Sequence, residues 1–376
     1  MKKLLICLFC ICFLGAAPSF RNISAMSAVV TTDLHYTKNS GQSPLIIPGM
    51  AYADEITQAL IDQVISLKPN VFIMTGDNTN SGAPADCMEL ALKLQQVRDA
   101  GIQVILTTGN HDFDRSDPAD FEDYYSDLID PLDRDPDSLS YVAVSDGVVF
   151  FAMDDSSLNP EGEGQYSPAS LSWLGEMLEK YSAYPMVYLS HHSTLNFAGE
   201  GERNSALAGL LKEYGVKLLL SGHYHSQNLL ELDGMYELTG AMPLSAPHTL
   251  GLIEIRGGTA DYRTLPIDFA KYGTEGLAEK LSREEEERGR KQAESFRALL
   301  QGGSPEETEG MLNLLTFFLK AYTEGMLGDS ADRILADPYY EKMIEALWDD
   351  NYGPWIKAVI ENHPKNSAKL TVTGLN

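Results

Sequence analysis

Six of the eight histidines in this 376-residue chain fall in a set of five short polar clusters, each placed directly behind an apolar run. In chain order the clusters are Asp33-Leu34-His35, Gly76-Asp77-Asn78, Gly109-Asn110-His111-Asp112, His191-His192 and Gly222-His223-Tyr224-His225. Carboxylates, an amide oxygen and imidazoles are compact donors for hard or borderline cations. No cysteine stands among them, which disfavours a purely structural zinc site. The set is too large for one tetrahedral ion. Two ions about 3.5–4 Å apart and sharing a carboxylate would use it economically, activating a bridging water and clamping the oxygens of an in-line displacement at phosphorus. Phosphoester hydrolysis is the reaction class this points to. Taken singly, Gly-Asp, Gly-Asn and Gly-His-x-His are ordinary turn chemistry; what carries weight is their joint occurrence and order.

The elements between the clusters explain how residues so far apart could meet. Strands are expected at Ala28–Thr32, Val71–Met74, Val104–Leu106, Met186–Leu189 and Val216–Ser221, each ending at one cluster. Helical spacing fills Asp54–Leu67, Ala85–Ala100, Ser170–Tyr181 and Ala206–Tyr214, so the strands pair in parallel through crossovers. The C-terminal ends of such strands face one crevice. Tyr141–Val144 and Val148–Met153 around Asp146-Gly147 read as a hairpin. Gly109–Ser140 reads as an excursion over the rim of the crevice, and Ser193–Asn204 as a second rim loop. Strands without helices follow between Leu229 and Ile267. The fold class expected is α/β: a two-sheet β-sandwich flanked by helices in four αββα layers, followed by a C-terminal all-helical extension.

The order Asp-x-His, Gly-Asp, Gly-Asn-His-Asp, His-His and Gly-His-x-His resembles the calcineurin-like metallophosphoesterase superfamily over roughly Ala28 to Ile267. The C-terminal helices resemble a tail seen in some bacterial exported members. The resemblance implies two divalent metal ions, manganese, iron or zinc. Asp33, His35 and His225 would hold the first, Asp77 would bridge, and Asn110, His191 and His223 would complete the second. A hydroxide bridging the ions would attack a phosphomonoester or phosphodiester. His111 would assist the leaving group, Asp112 would orient the His111 ring, and His192 would lie at the substrate rim or behind the ligands. Two departures stand out: Asn80, three after Asp77, is neither the tyrosine of purple acid phosphatases nor the acidic residue of protein Ser/Thr phosphatases, and Ser193 replaces the commoner proline after the histidine pair. A non-catalytic cell-envelope binding or scaffold protein that keeps this fold is the alternative.

Composition bounds the partners. With 54 acidic against 28 basic residues the formal charge is −26, so no nucleic-acid surface is expected and a small phosphorylated substrate is. Lys2-Lys3 and the apolar Leu4–Ala17 read as a secretory signal, or as an uncleaved anchor and the one route to membrane attachment. Export to the cell envelope or beyond is therefore expected. The chain divides into 1–27 (leader), 28–267 (phosphoesterase domain) and 268–376 (helical extension). Asp154-Asp155, at the end of the Phe150 strand, reads either as a pair behind the ligands or as a solvated turn, His248 as a loop histidine, Glu284–Glu287 as a solvated helix face, and Cys87 as a small buried residue.

Overall fold

The computed structural model describes residues 25–38, 48–162, 164–195, 205–300, 304–349, 351–362 and 366–375. The expected signal segment lies outside these residues apart from its last three, and so does the rim loop from Asn196 to Asn204. Among the described residues no helix is long and apolar enough to cross a membrane.

The strands run β1 (Met26–Thr31), β2 (Val71–Thr75), β3 (Gln103–Thr107), β4 (Asp133–Arg134), β5 (Tyr141–Ser145), β6 (Val148–Ala152), β7 (Met186–Leu189), β8 (Leu218–Ser221), β9 (Asn228–Leu232), β10 (Met235–Thr239), β11 (Thr249–Arg256), β12 (Thr259–Pro266) and β13 (Lys369–Thr373). The helices are α1 (Ala53–Leu67), α2 (Pro84–Asp99), α3 (Pro118–Tyr125), α4 (Pro168–Tyr181), α5 (Ser205–Glu213), α6 (Phe269–Tyr272), α7 (Leu277–Leu299), α8 (Pro305–Thr323), α9 (Leu327–Leu335), α10 (Tyr340–Ala346) and α11 (Tyr352–Asn362). Two mixed sheets result, one ordered β13-β12-β11-β1-β2-β3 and the other β4-β5-β6-β7-β8-β10-β9.

Strand alternation builds the layers. Val71 and Ile73 of β2 face the other sheet, where they meet Phe150, Val187 and Leu220. Phe72 and Met74 point the opposite way, onto Leu60 of α1 and Leu90 and Leu94 of α2. The second sheet repeats the arrangement, with Phe151, Tyr188 and Leu219 packing under Leu174 and Leu178 of α4 and Leu211 of α5. Both faces of the central strands are thus dry, which is why they read as continuous apolar runs. Asp146 and Gly147, with φ of 46° and 83°, turn the β5–β6 hairpin in the left-handed geometry that two-residue loops prefer.

Two expectations need correction. Gly109–Ser140 is not simply a rim excursion: Phe121, Tyr125 and Leu128 pack into the layer between α2 and the first sheet. The segment after 268 is not all-helical either. Helices α8 to α11 do form an apolar core of their own around Phe318, Ile334, Met343 and Ile356. The chain then returns as β13, antiparallel to β12, and buries Val372 and Leu375 between the two sheets.

Candidate metal centre

The five polar clusters follow β1, β2, β3, β7 and β8, three parallel neighbours in one sheet and two in the other. Their loops crowd together so closely that some positions exclude a side chain. A Cβ at Gly109 would lie 2.0 Å from the Asp77 nitrogen, and one at Gly222 would lie 1.9 Å from Thr32 Oγ1 and 2.7 Å from Asp33 Oδ2. The polar residues themselves are bent into left-handed backbone: φ is 48° at Asp33, 42° at His35, 48° at Asp77, 71° at His223 and 56° at His225. Such conformations cost of order 1–3 kcal/mol each for residues with a side chain and persist only where the surroundings hold them.

One group joins Asp33, His35, Asp77 and His225, whose donor atoms lie within 4.8 Å of one another. His35 Nε2 stands 3.0 Å from His225 Nε2 and 3.4 Å from Asp77 Oδ2, and His225 Nε2 is 3.4 Å from Asp33 Oδ1. Asp33 also accepts from the His223 amide at 3.0 and 3.1 Å and from Thr32 Oγ1 at 2.8 Å. Burial pushes the Asp33 carboxyl above its ordinary range and the His35 imidazole down to about 3.

A second group joins His191, His192 and His223 under the same distance limit. His191 Nε2 lies 3.2 Å from Asn110 Oδ1 and 3.3 Å from Asp77 Oδ2, while its Nδ1 meets the Thr75 carbonyl at 3.0 Å. Burial disfavours the charged His191 ring, but Asp77 outweighs it and carries the pKa to about 10. Burial likewise resists ionisation of Asp77, and His191 and His35 overcome it, holding the carboxyl well below the usual range. His223 goes the other way, down to about 3, through burial and its two imidazole neighbours. The decisive geometric point is Asp77 Oδ2, which faces one histidine of each group.

All the sequence-derived ligand candidates therefore meet in one crevice, and His192 joins them instead of standing aside. His111 lies at its mouth, its ring 5.1 Å from that of His35 and its amide donating to Asp77 Oδ1 at 2.8 Å. Asp112 does not orient that ring. Its Oδ2 accepts from Gly109 N, Asn78 N and Asn78 Nδ2, and its Oδ1 from Thr79 N and Oγ1, so it ties two loops together. Burial, helped by Asp77, still lifts it to about 6. The partner of His111 Nδ1 is Asp114, at 2.8 Å. Residues 110–113 form a 3-10 turn, and in that geometry side chains three apart eclipse.

Two further carboxylates stand behind the site: Asp155, from the Asp154-Asp155 pair singled out in the sequence, and Glu237, which the sequence did not single out. Asp155 is buried and accepts from the His192 amide at 2.8 Å, with its other oxygen 3.3 Å from His192 Nδ1. Burial resists its ionisation, yet the His192 ring holds its pKa low. Glu237, fully buried in β10, accepts from Ser193 Oγ, Thr194 N and Leu195 N and so fixes the loop behind the histidine pair. The signal for Asp155 was its place at the end of a strand beside the crevice. Asp154, by contrast, binds Thr108 Oγ1 at 2.6 Å and the amides of Ser156 and Ser157.

The donor set fits a cation. His192 Nε2 is buried without a hydrogen-bond partner, a costly state that ligation of an ion through that nitrogen would relieve. Among the described residues, carboxylate oxygens and imidazole lone pairs converge with no lysine or arginine between them.

Known proteins place this geometry. The profile of the calcineurin-like phosphoesterases matches residues 26–227, more than half of the chain. The chain belongs to the calcineurin-like phosphoesterase family. A curated relative, a "probable cyclic nucleotide phosphodiesterase" of Psychrobacter arcticus, is 28% identical over 188 residues, which cover 47% of this chain and 65% of that protein. The chain thus matches less than two thirds of that relative's length. Among solved structures, a dimetal phosphatase from Danio rerio superposes with a TM-score of 0.53 at 13% identity, over 64% of this chain and 95% of that one. A purple acid phosphatase from yellow lupin gives a TM-score of 0.44 at 12% identity, over 67% and 53%. The zebrafish likeness, at 13% identity, is one of fold alone.

Proposed function

We propose that this phosphoesterase hydrolyses a small phosphodiester, cyclic nucleotides being the first class to test, at a pair of divalent ions. The reading rests above all on Asp77 Oδ2, set 3.4 Å from His35 Nε2 and 3.3 Å from His191 Nε2. Asp33, His35, Asp77 and His225 would hold one ion; Asp77, Asn110, His191 and His223, joined by His192, would hold the other. When bound, the ions would supply charge neutralisation on the phosphoryl group and a nucleophile at neutral pH. His111, pinned through Nδ1 to Asp114, keeps Nε2 for the proton that the leaving oxygen needs. Asn110, His111, His223 and His225 are only half-buried, so they line the open mouth, whereas Asp33, His35, Asp77 and His191 form its floor. The diester preference is drawn from the Psychrobacter relative. Export is proposed on Lys2-Lys3 and Leu4–Ala17 alone, and fractionation of expressing cells checks it.

The test is turnover of bis(nitrophenyl) phosphate, nitrophenyl phosphate and 3′,5′-cyclic nucleotides by protein loaded with manganese or zinc. Diester hydrolysis that is lost in Asp77→Asn is expected. No turnover of any of the three, or full activity in Asp77→Asn, overturns the proposal.

A further inference from the structure

Gln227 lies two residues beyond His225, at the point where the family match ends, and it is buried. Its side-chain amide donates to the Ser367 carbonyl at 3.0 Å and accepts from Tyr262 OH at 3.0 Å. Its backbone carbonyl accepts from Ser367 Oγ at 3.1 Å. Ser367 and Ala368 in turn donate their amides to Gly325, in the turn between α8 and α9. That turn packs against Gln227 so tightly that a Cβ on Gly325 would stand 3.1 Å from Gln227 Cγ. The helical extension and the returning strand β13 therefore close on the loop that carries His223 and His225.

We infer that Gln227 and Ser367 are positioning residues for the metal centre, and that the C-terminal extension braces it; this rests on the function proposed above. His223 and His225 both need left-handed backbone, which relaxes unless the loop is fixed at each end. The front end is fixed by Gly222 N on the His191 carbonyl and His223 N on Asp33. Past His225, which alone among its group is about one third exposed, the hold comes from Met242 N on its carbonyl and from Gln227. The extension thus acts on His225 more than on His191, whose loop is fixed by Asp155 and Glu237.

The test uses full-length Gln227→Ala and Ser367→Ala, with Tyr262→Phe as the variant that leaves the C-terminal contacts intact. Zinc release to a chelator and amide hydrogen exchange over residues 222–228 are measured beside thermal melting. The expected result is release of one ion accelerated roughly tenfold, in the range of residues that orient ligands, with faster exchange in the loop, for Gln227→Ala and more weakly for Ser367→Ala, but not for Tyr262→Phe. Unchanged exchange and release in folded Gln227→Ala and Ser367→Ala overturns the brace. If Gln227→Ala fails to fold, Ser367→Ala decides alone. Wild-type protein that binds no zinc refutes the function proposed, while the exchange data still decide the brace.

Discussion

The two halves of the crevice share Asp77 and little else. The Asp33–His35–His225 half has two carboxylates for two imidazoles and is drawn from loops bent into left-handed backbone. The Asn110–His191–His192–His223 half is almost all imidazole, and its carboxylates stand behind the ligands as Asp155 and Glu237. Charge explains the division. Where carboxylates face the site directly, burial raises Asp33 and suppresses His35. In the other half Asp155 stands behind the His192 ring and Glu237 behind its loop, and Asp77 is the carboxylate that meets His191 and carries it up to about 10. The first half is thus the harder ligand set and the second the softer, and they lean on different parts of the chain for support.

The largest expected effect tests what the halves share. Asp77→Asn should remove both ions from purified protein and lower diester turnover by about 1000-fold or more, roughly 4 kcal/mol of barrier. Loss of a single ion, measured by elemental analysis, would mean that Asp77 belongs to one half.

Next come the two histidines that one loop sends to different halves. His225→Ala should empty the carboxylate-rich half and His223→Ala the imidazole-rich half, each retaining about one equivalent of metal. Equal loss of both ions in both variants would leave a site but no division of labour.

The supporting carboxylates should matter less and on one side only. Asp155→Asn and Glu237→Gln should each weaken metal binding in the imidazole-rich half by about 10–100-fold, the range for groups that orient ligands. The tighter-held ion of the other half should stay, as read by stepwise competition with a chelator. Uniform weakening of both ions would show that the loops move as one.

The smallest effect concerns no metal at all. Asp114→Asn should lower turnover by about tenfold, a part of what a positioned acid contributes, with metal content and KM unchanged. Asp112→Asn, in contrast, should lower thermal stability, because five hydrogen bonds converge on that carboxylate, four of them from the Asn78–Thr79 loop. A stable Asp112→Asn with impaired proton transfer would reverse the assignment.

These contrasts also mark what could be read from residues alone. The crevice was legible because each cluster follows a strand whose apolar run is unambiguous, and parallel strands leave their C-terminal ends no other place to go. Asp112 and Asp114 flank the same ring and look alike in sequence; a short 3-10 turn, which leaves no pattern of its own, decides which one touches it. Glu237, in the middle of β10, carries no signal of burial, since acidic residues are ordinarily solvated. The strand Lys369–Thr373 did carry one. Leu370 and Val372 alternate with polar neighbours, but a hundred residues of helical pattern ahead of them hid a return to the sheet whose partner, β12, lies far back in the chain.

The central claim is that Asp77 Oδ2 stands between two unlike ion sites. A crystal of the full chain grown with zinc, with anomalous scattering recorded at the zinc edge, tests it most directly. Two peaks about 3.5–4 Å apart on either side of that oxygen are predicted, one against Asp33, His35 and His225 and the other against Asn110, His191 and His223. A single peak, or a pair with Asp77 ligating only one, would contradict it.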